Sequence, residues 1–388
     1  MRWQLIEQCR ALSSKLAANV AHAERERRVA LDNIAALADA QLLRLAVPRR
    51  YGGLETNLRT MVDVSSCLAE SCGSTAWVVA NLNLCSWLAS LLTTRGQDEI
   101  FGVNPDARIA GAFAPSTQIR RVDGGAVVSG RWYYCSGAAF ADWGLVGLLE
   151  LAEDGEVVDQ YFSFIPVREL AVEETWFTVG MRGTASNCFV AKEVFIPSHR
   201  MLSVLQALKG NYPSEHKSEV LYRSPFSAFL PLSLTGPLLG LGRAALRYVL
   251  DAAPRRAIAS TIFKQQSEST AFQLQVSEAA IKLDTAELHV HRAVAQVDEA
   301  AVCSQQLDLK MRARIRADAA YAANHVTDAI NTLVTAHGAG SFAESNPLQQ
   351  IWRDANIAAN HAALLPAVGL EVYGKALLGF ERNITVMV

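Results

Sequence analysis

An excess of positive charge is missing from these 388 residues: 36 Lys plus Arg stand against 38 Asp plus Glu, a formal net charge of −2. With nothing to condense on a phosphate backbone, nucleic acid is excluded as the main partner. Charge of either sign is scarce, 19% against 51% hydrophobic residues. That balance excludes long disorder and a coiled-coil rod, and it suits a large buried core. Seven cysteines (Cys9, Cys67, Cys72, Cys85, Cys135, Cys188, Cys303) are scattered and form no C-x-x-C. Neither a disulfide framework nor a zinc site is indicated, and buried thiols in a reducing compartment are expected. The N-terminal stretch alternates charged with apolar residues and lacks the apolar core of a signal peptide, so a cytoplasmic protein is expected.

Familiar nucleotide and nucleophile motifs are absent too. There is no G-x-x-x-x-G-K-[ST] and no G-x-S-x-G, which removes a P-loop and the simplest serine hydrolase. Gly240-Leu-Gly242-Arg-Ala-Ala245 resembles a dinucleotide fingerprint, but helical patterns flank it on both sides where a strand should precede it. Close helix packing is the better reading. His289 and His291 lie two apart, which on a helix points them to different faces, so no metal site is expected. Ser74–Thr94 and Ser224–Gly242 carry no charge. Asn81, Asn83 and Ser86 in the first, and Pro231, Gly236 and Pro237 in the second, argue for helices buried in protein rather than in lipid.

What is present falls into three textures. At roughly 150 residues per domain the length suits two or three domains. Residues 1–107 read as a helical domain, with apolar residues at three- and four-residue spacing interrupted by Val47-Pro-Arg-Arg-Tyr-Gly-Gly53. Residues 108–205 read as a middle β domain, with strand-like runs at Ala126–Tyr134, Trp143–Leu151, Gln160–Val167 and Asn187–Ile196. Residues 206–388 return to a helical pattern after a polar connector. The order α, β, α without strand–helix alternation argues against a doubly wound sheet.

Several segments carry a resemblance when taken in order. They are Val47-Pro-Arg-Arg-Tyr-Gly-Gly53, Gly130-Arg-Trp132-Tyr-Tyr-Cys-Ser136-Gly137 with Ala141-Asp-Trp143, Gly180-Met-Arg-Gly-Thr184-Ala-Ser186 with Val194-Phe-Ile-Pro197, and Asn346-Pro347 with Trp352-Arg-Asp354. Together they resemble the acyl-CoA dehydrogenase superfamily across nearly the whole chain. The resemblance implies an α+β fold with an N-terminal helical domain, a middle β-barrel domain and a C-terminal four-helix bundle. Two departures select a branch. Aligned on Arg353-Asp354, the dehydrogenase Tyr-Glu-Gly becomes His361-Ala-Ala363, which removes the usual carboxylate base for α-proton abstraction. The Arg-x-x-Phe-Gly segment that usually holds the FAD diphosphate reads Ser260-Thr-Ile-Phe-Lys264.

With the small-residue turn Gly73-Ser-Thr-Ala76 leading into Trp77, these departures resemble the two-component (group D) flavin-dependent monooxygenases built on that fold. The resemblance implies a hydroxylase that takes reduced flavin (FADH2 or FMNH2) from a separate NAD(P)H-dependent reductase. It would use O2 as co-substrate through a flavin C4a-hydroperoxide and assemble as a homotetramer. It implies catalytic roles for His361 and Ser136, and cofactor contacts from Trp132, Ser136, Gly137, Thr184, Ser186, Gly338 and Gly340. His361 would act either as base toward a phenol or as hydrogen-bond donor, and Trp132 would offer a rigid wall. For His337-Gly-Ala-Gly340, a helix-end turn and a backbone approach to flavin phosphate are equally open. Family members often have Gly where this chain has Ala185. Aromatic residues around Trp77, Trp87 and Phe226–Phe229 hint at a bulky, aromatic small-molecule substrate. The alternatives are an N-hydroxylating relative, or a dehydrogenase-like flavoprotein with a relocated base such as Glu371.

Overall fold

The computed structural model describes residues 1–380 and 382–388. Six helices open the chain: α1 (Arg2–Ala18), α2 (Val20–Glu26), α3 (Leu31–Asp39), α4 (Leu58–Ala69), α5 (Gly73–Ala89) and α6 (Thr94–Gln97). Eight strands follow: β1 (Ile109–Gln118), β2 (Arg120–Val122), β3 (Gly125–Cys135), β4 (Trp143–Leu151), β5 (Val157–Pro166), β6 (Ala171–Glu173), β7 (Asn187–Pro197) and β8 (Met201–Ser203). The chain closes with α7 (Val204–Leu208), α8 (Phe226–Ser233), α9 (Thr235–Ala252), α10 (Thr270–Cys303), α11 (Leu309–His337), α12 (Pro347–Ala359) and α13 (Pro366–Leu377). The four strand-like runs of the sequence are β3, β4, β5 and β7. Strand β1 escaped that reading because its second half, Pro115-Ser-Thr-Gln118, is polar and solvent-facing.

The strands form two four-stranded sheets, in the orders β1-β4-β5-β8 and β2-β3-β7-β6. The sheets meet where β1 lies against β3. The pairing of β1 with β4 is parallel and the other pairings are antiparallel.

Every residue of α5 is buried, which accounts for its lack of charge. Its polar side chains are satisfied locally: the Asn81 amide donates to the Trp77 carbonyl at 2.8 Å, and Asn83 donates to the carbonyls of Leu42 and Val79 at 2.9 Å each. Hydrogen-bonded in this way, a buried amide carries little of its desolvation cost. The second uncharged stretch supplies α8 and the start of α9. Phe226–Arg255 is long and apolar enough to cross a membrane by length and composition, yet 89% of its apolar window is buried inside the fold.

Side-chain caps fix where the late helices begin. Asp308 accepts from the Met311 amide at 2.7 Å at the start of α11, and Asn346 accepts from the Leu348 amide at 2.9 Å with Pro347 at the first position of α12. Within the bundle, α9 presses on α4 so closely that a Cβ at Gly240 would fall 2.0 Å from the Ser66 carbonyl oxygen. The glycine pattern of this stretch therefore serves helix packing and cradles no phosphate. Among the described residues no group of three or more His, Cys, Asp or Glu could hold a metal ion.

Candidate active site

Three short segments converge on one hydroxyl cluster: the end of β3, the turn before β7, and the start of α5. The Trp77 indole N–H donates to Ser136 Oγ at 3.0 Å. Ser136 Oγ lies 2.9 Å from Ser186 Oγ, which lies 2.7 Å from Thr184 Oγ1. Thr184 in turn donates to the Met181 carbonyl at 2.8 Å. Each hydroxyl has one proton, so the direction of this chain is determined. The Thr184 proton is committed to Met181, which makes Ser186 the donor to Thr184 and Ser136 the donor to Ser186. Ser136 accepts the indole N–H through one lone pair and has a second lone pair with no partner among the described residues. The Gly137 amide donates to the Thr184 carbonyl at 2.8 Å, which locks the two loops together.

The turn that carries Thr184 and Ser186 is anchored from the C-terminal helices. Asp354 on α12 is buried and accepts the Met181 amide N–H. Gly180 passes so close to α12 that a Cβ there would lie 2.4 Å from the Arg353 carbonyl oxygen. Burial pushes the Asp354 carboxyl up to about 7, against the pull of the Met181 amide. Met181 and Ala185 both take left-handed backbone, at φ 50° and 45°. These are positions where a side chain costs about 1–2 kcal/mol relative to glycine.

The Trp77 ring also meets His361, with centroids 5.7 Å apart at 64°. His361 sits in the loop between α12 and α13, where its Nδ1 accepts the Ala363 amide N–H at 3.2 Å. A nitrogen that accepts has no proton, so the neutral ring carries its proton on Nε2. The ring is half-buried against Trp77 and an apolar wall, and lost solvation pushes its pKa down to about 4. Beside it lies a pocket of about 280 Å³, bounded by Leu84 of α5, Phe113 of β1, Phe162 of β5, Leu230 and Leu234 on α8 and the adjoining turn, and the C-terminal Thr385–Met387. Among the described residues no Asp or Glu lines it. Glu371, the alternative carboxylate base, is exposed on α13 and is not among the pocket's lining residues.

The structure thus brings together Ser136, Gly137, Thr184 and Ser186, and reaches His361 through Trp77. One expectation needs correction. Trp132 is 1% exposed, and its indole N–H donates to the Gly147 carbonyl at 2.8 Å. It fills the space between the sheets and leaves no face for a ligand; the wall beside Ser136 is Trp77. Gly338 and Gly340, expected either as a helix-end turn or as a backbone approach to a flavin phosphate, lie apart from the hydroxyl cluster. They follow the end of α11, where Arg256 approaches Gly340 and Gln266 donates to the His337 carbonyl at 3.2 Å. Both ring nitrogens of His337 there are buried without a partner.

These residues fit a flavin. Uncharged hydroxyls and amides suit the polar edge of its ring. The aromatic Tyr134, 60% exposed and edge-on to Trp176 at 5.1 Å, is left uncovered near the cluster. Arg256 with the Gly338–Gly340 backbone suits a phosphate, and beside them the buried His337 ring nitrogens have no hydrogen-bond partner.

Comparison with known proteins agrees. The family models described as acyl-CoA dehydrogenase, N-terminal domain, and acyl-CoA dehydrogenase, C-terminal domain, match residues 4–100 and 232–366. The FADH(2)-dependent resorcinol hydroxylase, oxygenase component, of Rhizobium sp. (strain MTP-10005) is 30% identical over 92% of this chain and 90% of its own. The flavin-dependent monooxygenase, oxygenase subunit HsaA, of Rhodococcus jostii (strain RHA1) is 28% identical over 97% and 99%. The solved structure of XiaF from Streptomyces sp. in complex with FADH2 and glycerol superposes with a TM-score of 0.92 at 39% identity, over 99% of this chain and 97% of that one. Fold and site define a flavin enzyme of acyl-CoA dehydrogenase architecture. The chain belongs to the two-component flavin-dependent monooxygenases of that superfamily. It is the oxygenase component: it uses reduced flavin and O2 on a small molecule, with the flavin reduced by a separate partner.

Proposed function

We propose that this oxygenase component hydroxylates a compact aromatic molecule held between His361 and the apolar wall of Phe113 and Phe162. The single observation that carries the reading is the line Ser136–Trp77–His361. It joins a hydroxyl cluster suited to a flavin ring to a pocket in which no described residue is a carboxylate. When bound, reduced flavin supplies the electrons with which O2 is split between product and water.

The chain's own residues then have distinct tasks. Ser136, its proton committed to Ser186, offers a lone pair and would hold an N–H of the reduced ring. His361, neutral at ordinary pH with its proton on Nε2, acts as a donor toward the pocket rather than as a base. The apolar lining excludes water from the reacting groups. Gly137, Thr184 and Ser186 set the ring-side loops, and Gly338, Gly340 and Arg256 would hold the phosphate end, with FADH2 as the form taken. A neighbouring subunit completes the orphaned His337 loop. A homotetramer is supported by Leu274, Ile281 and Leu288, which stand 67%, 64% and 63% exposed at seven-residue spacing along α10. The partner reductase would draw on NAD(P)H.

The test supplies FADH2 from a flavin reductase and NADH, adds a panel of phenols and indoles, and measures hydroxylated product per O2 consumed. Product that requires both the reductase and this protein supports the reading. Anaerobic oxidation of an acyl-CoA thioester, with no product from the panel, would replace it with the dehydrogenase alternative.

A further inference from the structure

Among the described residues, the pocket beside His361 contains one formal charge. Of the described residues that line it, Arg316 on α11 alone is ionic at neutral pH; the rest are apolar apart from Gln160, Ser227, His361 and Thr385. A guanidinium brings five N–H donors into a site. Arg316 spends one on a neutral group, the Met387 carbonyl, which its Nη1 reaches at 2.9 Å. Its Nε is buried without a partner. Among the described residues no carboxylate lies within ion-pair distance of it, whereas the neighbouring Arg314 has Asp318 one turn away at 4.0 Å. Burial holds the Arg316 pKa below its ordinary value, and no charged neighbour among the described residues offsets that effect.

A half-buried cation with most of its donors unused is costly to keep in an apolar pocket. The arrangement makes physical sense when the missing counter-ion arrives with the ligand. An arginine fork matches a carboxylate in two parallel hydrogen bonds, and a lysine in its place would not. The pocket is also small, near the lower end of the roughly 300–1,000 Å³ usual for ligand sites. A molecule that touches His361 is therefore within reach of Arg316 as well.

We propose that Arg316 is the specificity-determining residue, and that the substrate is an aromatic carboxylate whose ring lies against His361 and the Phe113–Phe162 wall while its carboxylate pairs with Arg316. This rests on the aromatic-hydroxylase reading above and adds to it the charge and polarity of the molecule.

The experiment uses matched probes: 4-hydroxyphenylacetate, indole-3-acetate and 1-naphthylacetate, each beside its primary amide. Binding is measured anaerobically by calorimetry on the protein loaded with reduced FAD, for the native chain and for Arg316→Gln and Arg316→Lys. At least one acid is expected to bind roughly tenfold or more tighter than its amide, a preference that falls to near one in Arg316→Gln and is only partly restored in Arg316→Lys. Equal affinity of acids and amides, binding of neither, or a preference that survives in Arg316→Gln would overturn the proposal. So would equal weakening of acid and amide in Arg316→Gln, because that outcome assigns Arg316 to pinning the C-terminal segment through Met387. Admitting O2 afterwards separates the two readings. Charge-selective binding without hydroxylation sinks the aromatic-hydroxylase reading and leaves Arg316 as an anion site, whereas hydroxylation without charge selectivity sinks only the role of Arg316.

Discussion

The Trp77 indole touches both halves of the site: its N–H donates to Ser136 Oγ at 3.0 Å, and its ring stands edge-on to His361 at 5.7 Å. One side chain on the buried helix α5 therefore links the hydroxyl proposed for the flavin side to the imidazole proposed for the substrate side. Replacing Ser136 by Ala removes both its lone pair and the donor to Ser186, and is expected to lower product per O2 by roughly tenfold, with peroxide released instead. Trp77→Phe keeps the wall and loses only the N–H, so its effect should be smaller. Because the two changes remove the same bond, the double variant should be no worse than Ser136→Ala alone; strictly additive losses would show that the bond has no role.

His361 should work as a neutral donor across the ordinary pH range. Its pKa is depressed to about 4 by lost solvation, so the acid limb of the product-per-O2 profile is expected near there and not near 6.5. The same shift has a stability consequence. The folded state resists protonation of this ring, so stability is lost as pH falls from about 6.5 toward about 4. His361→Asn retains a donor amide and should preserve more coupling than His361→Ala. An acid limb near 6.5 that disappears in His361→Asn would instead make the residue a base.

Asp354 holds the Met181 amide from a buried position, with its carboxyl raised to about 7. A raised acid pKa works against the folded state once the unfolded chain ionises. Stability is therefore expected to fall as pH rises from about 4 to about 7 and then to level off. Asp354→Asn keeps an acceptor oxygen and removes the titration. The thermal midpoint of that variant should change less between pH 5 and pH 8 than that of the native chain, and should be higher at pH 8. An unchanged slope would place the titration elsewhere.

Ala185 takes a left-handed conformation, φ 45°, between Thr184 and Ser186. Ala185→Gly should be neutral or stabilising by up to about 1 kcal/mol, the relief of strain being partly offset by glycine's greater freedom in the unfolded chain. Ala185→Val should cost on the order of 1–2 kcal/mol more than Ala and displace both hydroxyls. Its affinity for reduced flavin, followed by fluorescence titration, should drop with it. Native affinity in Ala185→Val would show that the turn tolerates displacement.

The exposed stripe Leu274–Ile281–Leu288 on α10 is expected to be covered by another copy of the chain. Ile281→Lys with Leu288→Lys should lower the mass measured by light scattering and raise the flavin concentration needed for half-saturation, if the proposed neighbour completes the His337–Gly340 loop. A tetramer that survives both substitutions places the interface on another face.

Much of the architecture was written locally. Period-3.6 apolar patterns, the Val47–Gly53 loop, alternating strands and Asp-Gly-Gly turns fix helices and strands through short-range sterics and burial, and Ser136, Thr184, Ser186 and His361 lie in segments legible as motifs. What the sequence could not decide was which way side chains point once the register is disturbed. In β3 the pairing with β7 shifts between Trp132 and Cys135. Strict alternation would put Trp132 and Tyr134 on one face, but the irregularity buries Trp132 between the sheets and leaves Tyr134 outside. The partnership of Trp77 with Ser136 spans 59 residues. The solitary charge of Arg316 is visible only when the strands β1 and β5, the helix α8 and the C-terminal segment close around it. A pocket is defined by what meets across long sequence distances, and by which buried donors are left without a partner when the packing is complete.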